Sequence, residues 1–299
     1  MTIKNIAVIG LGAMGGPMAA RLLELEFNVS GFDIDESRMA ELASSGLKPS
    51  ASPKEAADNA ELVILSLPDW NIVQNVVEGE NGIVFSAKKG QIIIDTSTVP
   101  PEQTKAMASR LDKKGIEWMD VPISGAASQA KEGNAVFMAG GKKTTFDKVK
   151  PILDILGKKT VYIGKNGDAA MLKLAVNVTL FLNQAAAIEG FVLGMKAGLD
   201  PEIMLDVFST GAAASNLISV RGKDMLEGNF KPRGPVWLAV KDIELAMESA
   251  KQLGVTVPMT GLYHQLILNA YHSGLAQSDA TALMKVYEQM AGISNINNN

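Results

Sequence analysis

Lys173 and Asn177 stand four residues apart in a run without proline, so a helix would carry them on one face, one turn from each other. A lysine whose ammonium is partly desolvated can titrate low enough to pass a proton to or from a substrate oxygen, and an asparagine one turn away can position the lysine or that oxygen. Local sequence alone favours a plainer reading, a lysine that snorkels out of the start of an apolar helix. A second polar stretch, Asp120-Val121-Pro122-Ile123-Ser124-Gly125-Ala126, follows an apolar run. The Ser124 hydroxyl and the N–H groups of Gly125 and Ala126 can form a concave site for a carboxylate, or can simply end a strand in a turn. Lys241-Asp242 is a third pair, readable either as a solvated helix start or as part of a site.

The partner chemistry is written at the N-terminus. Ile6-Ala7-Val8-Ile9 reads as a strand, Gly10-Leu11-Gly12-Ala13-Met14-Gly15 as a glycine turn, and Pro17 to Leu23 as a helix. In that setting Gly10 permits the tight turn, Gly12 lets the backbone approach a pyrophosphate, and Gly15 lets helix pack on strand. The phosphates would then sit on N–H groups at the helix N-terminus. A second strand delivers Asp33, whose carboxylate accepts hydrogen bonds from ribose hydroxyls and repels a ribose phosphate, which favours NAD over NADP. Arg38, beyond that strand, leaves NADP open, because a guanidinium pairs well with phosphate.

Bulk properties exclude several alternatives. The 299 residues allow two domains, and 47% hydrophobic with 20% charged residues is ordinary for a soluble globular chain. A formal net charge of −4 argues against a nucleic-acid surface. With no cysteine there is no disulfide, thiol nucleophile or thiolate metal site, a composition compatible with the cytoplasm. The opening residues show no export signal, and the apolar stretch 172–195 carries Lys173, Asn177, Asn183, Gln184 and Glu189, which predicts a buried helix rather than a membrane span. The two histidines, His264 and His272, have no acidic cluster beside them, so no metal site is expected.

The elements that must position these residues fall into two sets. Short β-rich runs at 62–65, 92–95, 118–121, 136–138 and 161–163 alternate with helical stretches, among them 101–114 and 144–156. That alternation predicts an α/β, doubly wound, mainly parallel sheet of Rossmann type over residues 1–164. After Gly164 the β signal stops. Helical spacing over 169–196, 201–209, 238–253 and 259–272 predicts an all-α domain over 165–299, joined to the first by the long helix. Gly190 and Gly194, one turn apart, invite a close helix approach, either within the chain or between copies, and the tail from Ile293 has little to bury.

Taken in order, the extended glycine turn, the Asp120-to-Gly125 segment, the stretch from Gly167 through Lys173 to Asn177, and Lys241-Asp242 resemble the β-hydroxyacid dehydrogenase family over nearly the whole chain. The resemblance implies a Rossmann domain followed by a helical domain, an active site in the cleft beside the long helix, and Lys173 as proton donor in reduction or acceptor in oxidation. It further implies that Ser124, Gly125 and Ala126 hold a substrate carboxylate, that Asn177 orients substrate, and that Leu67, Pro68, Thr96 and Lys241 line the cofactor together with Gly10, Leu11, Gly12, Ala13, Met14, Gly15 and Asp33. Many relatives carry a second glycine where this chain has Ala126. Arg233, in the segment before Lys241, is a candidate for a second anionic group on the substrate.

The expected activity is NAD-dependent interconversion of a small 2- or 3-hydroxy carboxylate and its oxo acid or semialdehyde. The expected assembly is a cytoplasmic homo-oligomer, dimer or tetramer, with neither nucleic-acid nor membrane partners. An imine or phosphorylated-sugar-acid oxidoreductase on the same fold is the alternative within enzymes. A non-catalytic NAD-binding regulator is the alternative outside them.

Overall fold

The structure is a computed structural model that describes residues 3–125 and 127–293. Its strands are β1 (Asn5–Ile9), β2 (Asn28–Phe32), β3 (Lys48–Pro49), β4 (Leu62–Leu65), β5 (Ile92–Asp95), β6 (Glu117–Asp120), β7 (Ile123–Ser124), β8 (Val136–Gly140) and β9 (Lys159–Gly164). Between them run α1 (Gly15–Glu24), α2 (Glu36–Ala43), α3 (Pro53–Ala57), α4 (Trp70–Glu78), α5 (Pro101–Asp112), α6 (Ala127–Lys131) and α7 (Lys143–Leu156). The second set is α8 (Asp168–Lys196), α9 (Pro201–Thr210), α10 (Asn216–Leu226), α11 (Val236–Leu253), α12 (Pro258–Ala270) and α13 (Leu283–Met290).

The sheet order is β3-β2-β1-β4-β5-β6-β8-β7, with β9 on β8. Strands β1 to β6 pair in parallel, and the sheet turns antiparallel only where β8 meets β6 and β7. This is the doubly wound arrangement, in which chain direction reverses away from β1 and opens a crevice at the strand carboxyl ends. The strand sequences explain it. Ile6 and Val8 enter one core while Ala7 and Ile9 enter the other, and Leu62, Ile64 alternate with Val63, Leu65 in the same way. A strand buried on both faces must be apolar throughout, which is the signature of a helix-covered parallel sheet.

The chain forms two compact units, one up to Lys173 and one from Leu174. The first unit takes in the first turn of α8, which is bonded to β6: Asp120 accepts from the N–H of Gly167 and Ala170, each at 2.9 Å. The second unit is helical around its own core, which includes Ile188, Phe191, Ile243, Ile267 and Leu283.

The helical unit departs from the sequence reading at two points and resolves a third. By length and apolar content α8 would suffice to cross a membrane, with a mean hydropathy of 1.4 over its most apolar window, and only 39% of that window is buried. Leu193, for example, is 74% exposed. One face of α8 is therefore core, and its polar groups are used there: Gln184 donates to the Ala280 carbonyl at 2.7 Å and Glu189 accepts from the Tyr287 hydroxyl at 3.1 Å. The close helix approach at Gly190 and Gly194 is made within the chain, since added Cβ atoms would lie 2.8 Å from Phe208 Cε2 and 2.1 Å from Met204 Sδ of α9. Helices α10 and α13 have no counterpart in the sequence reading. The tail beyond Ile293, predicted to fray, lies outside the described residues.

Candidate active site

In the first unit, the turn from β1 to α1 is built so that Gly10 and Gly15 cannot carry a side chain without meeting backbone. Gly10 has φ +85° and a Cβ there would lie 2.3 Å from the Ser66 carbonyl oxygen. At Gly15 it would lie 1.8 Å from the Gly10 oxygen, so helix and turn touch. Gly12 would meet Arg38 Nη1 at 3.2 Å. The cap position of α1 is Met14, which offers no capping side chain. The leading N–H groups of a helix have no partner within it, so this end suits an anion.

Asp33 closes the same turn from β2. Its side chain is 5% exposed, Oδ2 accepts from the Leu11 N–H at 2.6 Å and Oδ1 from the Asp35 N–H at 2.9 Å. Arg38 reaches the same carboxylate, with Nη1 at 3.4 Å, and pairs with Asp35 through Nε at 3.3 Å. The guanidinium thus sits between two carboxylates beside Gly12. These features fit the adenosine end of a dinucleotide: a glycine-rich loop, a helix start, and a buried acid at the end of the neighbouring strand.

The strand ends beside the turn carry the other predicted cofactor residues. Leu67 donates its N–H to Ser97 Oγ at 3.0 Å, and Pro68 follows it directly. Thr96 is buried at the end of β5, where its N–H and hydroxyl both bond to the Leu65 carbonyl, at 2.9 and 2.6 Å. Thr96 therefore ties β5 to β4 with its hydroxyl and offers the crevice chiefly its backbone. Ser124 ends β7 opposite Val136 of β8, and Gly125 follows with φ +152°. Ala126 lies outside the described residues.

Asp120 has no assigned role in the sequence reading, yet it is 1% exposed and takes the two α8 N–H groups described above. Burial pushes its carboxyl pKa up, against the donors from Gly167, Ala170 and Asn166. Lys173 lies three residues beyond Ala170 on that helix and is half-buried.

In the second unit, Asn177 is 3% exposed and donates Nδ2 to Asp242 Oδ2 at 2.7 Å. A carboxylate only accepts, so the amide must turn its NH2 to Asp242 and present Oδ1 elsewhere. Asp242 is 4% exposed and also pairs with Lys241 Nζ at 3.2 Å through Oδ1. The reading of Lys241-Asp242 as a solvated helix start is overturned: the pair lies within α11, and Asp242 is on its buried face with Ala239, Ile243 and Ala246. An acid on an apolar stripe was the available signal for its role as a tether.

Arg233 precedes α11 and gives Nη2 to Asp224 at 2.7 Å, while its backbone N–H goes to Asp279. One of the five guanidinium N–H donors is thereby used. The two histidines do not converge. His264 meets Glu244 at 3.3 Å and His272 packs edge-on against Tyr271. A cavity of about 980 Å³ in the helical unit is lined by Met195, Asp206, Lys223, Phe230 and Glu288, and contains none of the residues above. Its walls mix charges without a convergent acid–base pair, so size does not make it the active site.

Comparison with known proteins agrees with both halves of this arrangement. Residues 5–164 match the NAD binding domain of 6-phosphogluconate dehydrogenase, and residues 167–287 match the NAD-binding domain of NADP-dependent 3-hydroxyisobutyrate dehydrogenase. The chain is 34% identical to 2-(hydroxymethyl)glutarate dehydrogenase of Eubacterium barkeri, over 97% of each chain. It is 33% identical to 2-hydroxy-3-oxopropionate reductase of Escherichia coli (strain K12), over 96% of this chain and 98% of that protein. The crystal structure of 3-hydroxyisobutyrate dehydrogenase from Salmonella typhimurium superposes with a TM-score of 0.87 at 26% identity, covering 94% of this chain and 99% of that one. With the glycine turn, the acid at the end of β2 and full-length likeness to relatives above 30% identity, the chain belongs to the β-hydroxyacid dehydrogenase family, oxidoreductases that act on CH–OH groups with a nicotinamide cofactor.

Proposed function

We propose that this enzyme interconverts a small 2- or 3-hydroxy carboxylate and its oxo acid or semialdehyde, with NAD as the preferred cofactor and Lys173 as the acid/base. When bound, the nicotinamide supplies or accepts the hydride. Gly10, Leu11, Gly12, Ala13, Met14 and Gly15 would hold the dinucleotide phosphates, with Leu67, Pro68, Thr96 and Lys241 as further cofactor contacts. Asp33 supports NAD, because a buried carboxylate at the end of β2 repels a ribose phosphate.

The observation that carries the catalytic assignment is the tether on Asn177. A buried amide fixed by Asp242 at 2.7 Å, one helical turn after Lys173, is a preorganised acceptor rather than a solvated surface group. Asn177 Oδ1 would orient the lysine ammonium or the substrate oxygen. Lys173 gives its proton to the carbonyl oxygen as reduction proceeds and takes it back in oxidation. Ser124, Gly125 and Ala126 would hold the substrate carboxylate with hydroxyl and N–H donors, and Arg233 would meet a second anionic group where the substrate has one. A cytoplasmic homo-oligomer, dimer or tetramer, completes the reading.

A panel of hydroxyacids and semialdehydes with NAD and NADP, followed at the nicotinamide absorbance, tests the substrate class. Lys173→Ala tests the chemistry: turnover should fall by at least about 100-fold while NADH still binds. Near-normal turnover in that variant removes Lys173 from the acid/base role, and activity on imines alone would shift the substrate class.

A further inference from the structure

We infer that Asp120 is a positioning residue for Lys173, acting by clamping the first turn of α8 to the end of β6. The inference rests on the acid/base reading of Lys173. Asp120 cannot itself reach substrate, since it is 1% exposed and both carboxylate oxygens are bonded to the backbone of the β9–α8 junction. Oδ1 accepts from the Gly167 N–H and Oδ2 from the Ala170 N–H. The surroundings are cut to that shape. A Cβ on Gly140 would lie 2.8 Å from Asp120 Oδ2, so β8 must carry glycine where the carboxylate rests. Gly167 has φ +89°, a conformation that L side chains rarely adopt and that turns its N–H toward the carboxylate. Asn166 adds a side-chain bond to the Trp118 carbonyl at 2.9 Å, so strand and junction are joined at three points.

A helix rotates by about 100° and rises 1.5 Å per residue, so the phase of its first turn decides where a side chain one turn later points. Ala170 is the residue whose N–H is aimed at Asp120, and Lys173 follows three residues on. Slippage of the junction by one residue would swing Nζ through a quarter turn. The buried anion also opposes the positive end of the helix dipole, which favours this turn as a helix start. A carboxylate is required for both bonds: an asparagine in its place brings an NH2 against one of two N–H donors.

Asp120→Asn, Lys173→Ala and the double variant decide the matter, with NADH affinity read by fluorescence and fold by near-ultraviolet circular dichroism. The expected result is a folded Asp120→Asn enzyme that binds NADH within about threefold of the parent and loses about 10- to 100-fold in kcat. In the double variant kcat should equal that of Lys173→Ala, because two residues acting through one group are not additive. If Asp120→Asn does not fold, Asp120→Ser, which brings no NH2 against the two N–H donors, replaces it with the same expected loss in kcat. Multiplying losses in the double variant, kcat within threefold of the parent, NADH affinity falling in step with kcat, or failure of both Asp120 variants to fold would each overturn the positioning role. Near-normal turnover in Lys173→Ala would instead show that the acid/base reading is what fails.

Discussion

Asn177 and Asp242 are joined at 2.7 Å across 65 residues of sequence, both almost wholly buried, and the bond fixes which end of the asparagine amide faces away from the carboxylate. Asp242 holds Lys241 as well, at 3.2 Å. Asp242→Ala should therefore do two things at once. Leaving the buried Asn177 amide without its acceptor costs about 1–3 kcal/mol of stability, read as a lower melting temperature. Loss of the fixed Asn177 rotamer lowers kcat/KM by about 10- to 100-fold, read in steady-state assays. Asp242→Asn, which keeps an acceptor oxygen, should be milder in both.

The proposed preference for NAD rests on Asp33 and is tested together with its neighbour Arg38. Replacing Asp33 by alanine removes the carboxylate that repels a ribose phosphate and leaves Arg38 beside Gly12. The ratio of NADP to NAD efficiency should rise by at least about tenfold, and NADPH affinity by fluorescence titration should rise with it. Arg38→Ala in the same background should abolish that gain. A Leu11 N–H left without its acceptor predicts weaker binding of both cofactors overall.

Arg233 offers a substrate-specificity test. Its ion pair with Asp224 is 45% exposed on the arginine side, so Arg233→Ala should change stability by less than about 1 kcal/mol. Efficiency on dianionic hydroxyacids should fall about tenfold or more relative to monoanionic ones. An equal change for both substrate classes would remove Arg233 from the substrate site.

Asp279 makes the helical unit sensitive to acid. Burial raises its carboxyl pKa, but the Thr281 hydroxyl, the N–H groups of Arg233 and Thr281 and the Arg221 guanidinium outweigh it and hold the group below its ordinary value of 3.8. A carboxyl depressed in the folded state contributes stability that is present above the ordinary value and is lost as pH falls through the depressed one. Asp279→Asn should cost about 1–3 kcal/mol at neutral pH, because the buried Arg221 loses its nearer carboxylate and keeps only Asp224 at 3.7 Å. Its melting temperature should also lose part of the parent's dependence on pH below about 4.

Gly194 is committed to packing inside the chain. Gly194→Ala would bring a methyl against Met204 Sδ, at 2.1 Å before relaxation, and should lower stability by about 1–3 kcal/mol through overpacking. The mass of the assembly in solution, measured by light scattering, should not change.

How much of this was readable before folding follows from the range of each interaction. The glycine turn, Asp33 and the doubly apolar strands are local: a turn geometry, a helix start and a strand buried on both faces each impose their residue types over a few positions. The α8 face carrying Lys173 and Asn177 follows likewise from helical periodicity alone. Helix α10 was not legible, since Gly222 weakens its propensity and the reason for that glycine, the Leu205 side chain 2.5 Å from its would-be Cβ, belongs to another helix. Short β3 and β7 are strands only because neighbours pair with them.

The sequence by itself determined the two-part organisation, the dinucleotide turn and the shared helical face of Lys173 and Asn177, because these depend on near neighbours in the chain. Only the tertiary structure decided what holds them. Asp120 reaches Ala170 across 50 residues and Asp242 reaches Asn177 across 65, and no periodicity links such positions. A buried carboxylate is stable where its acceptors are satisfied, and which donors satisfy it is a property of packing rather than of spacing.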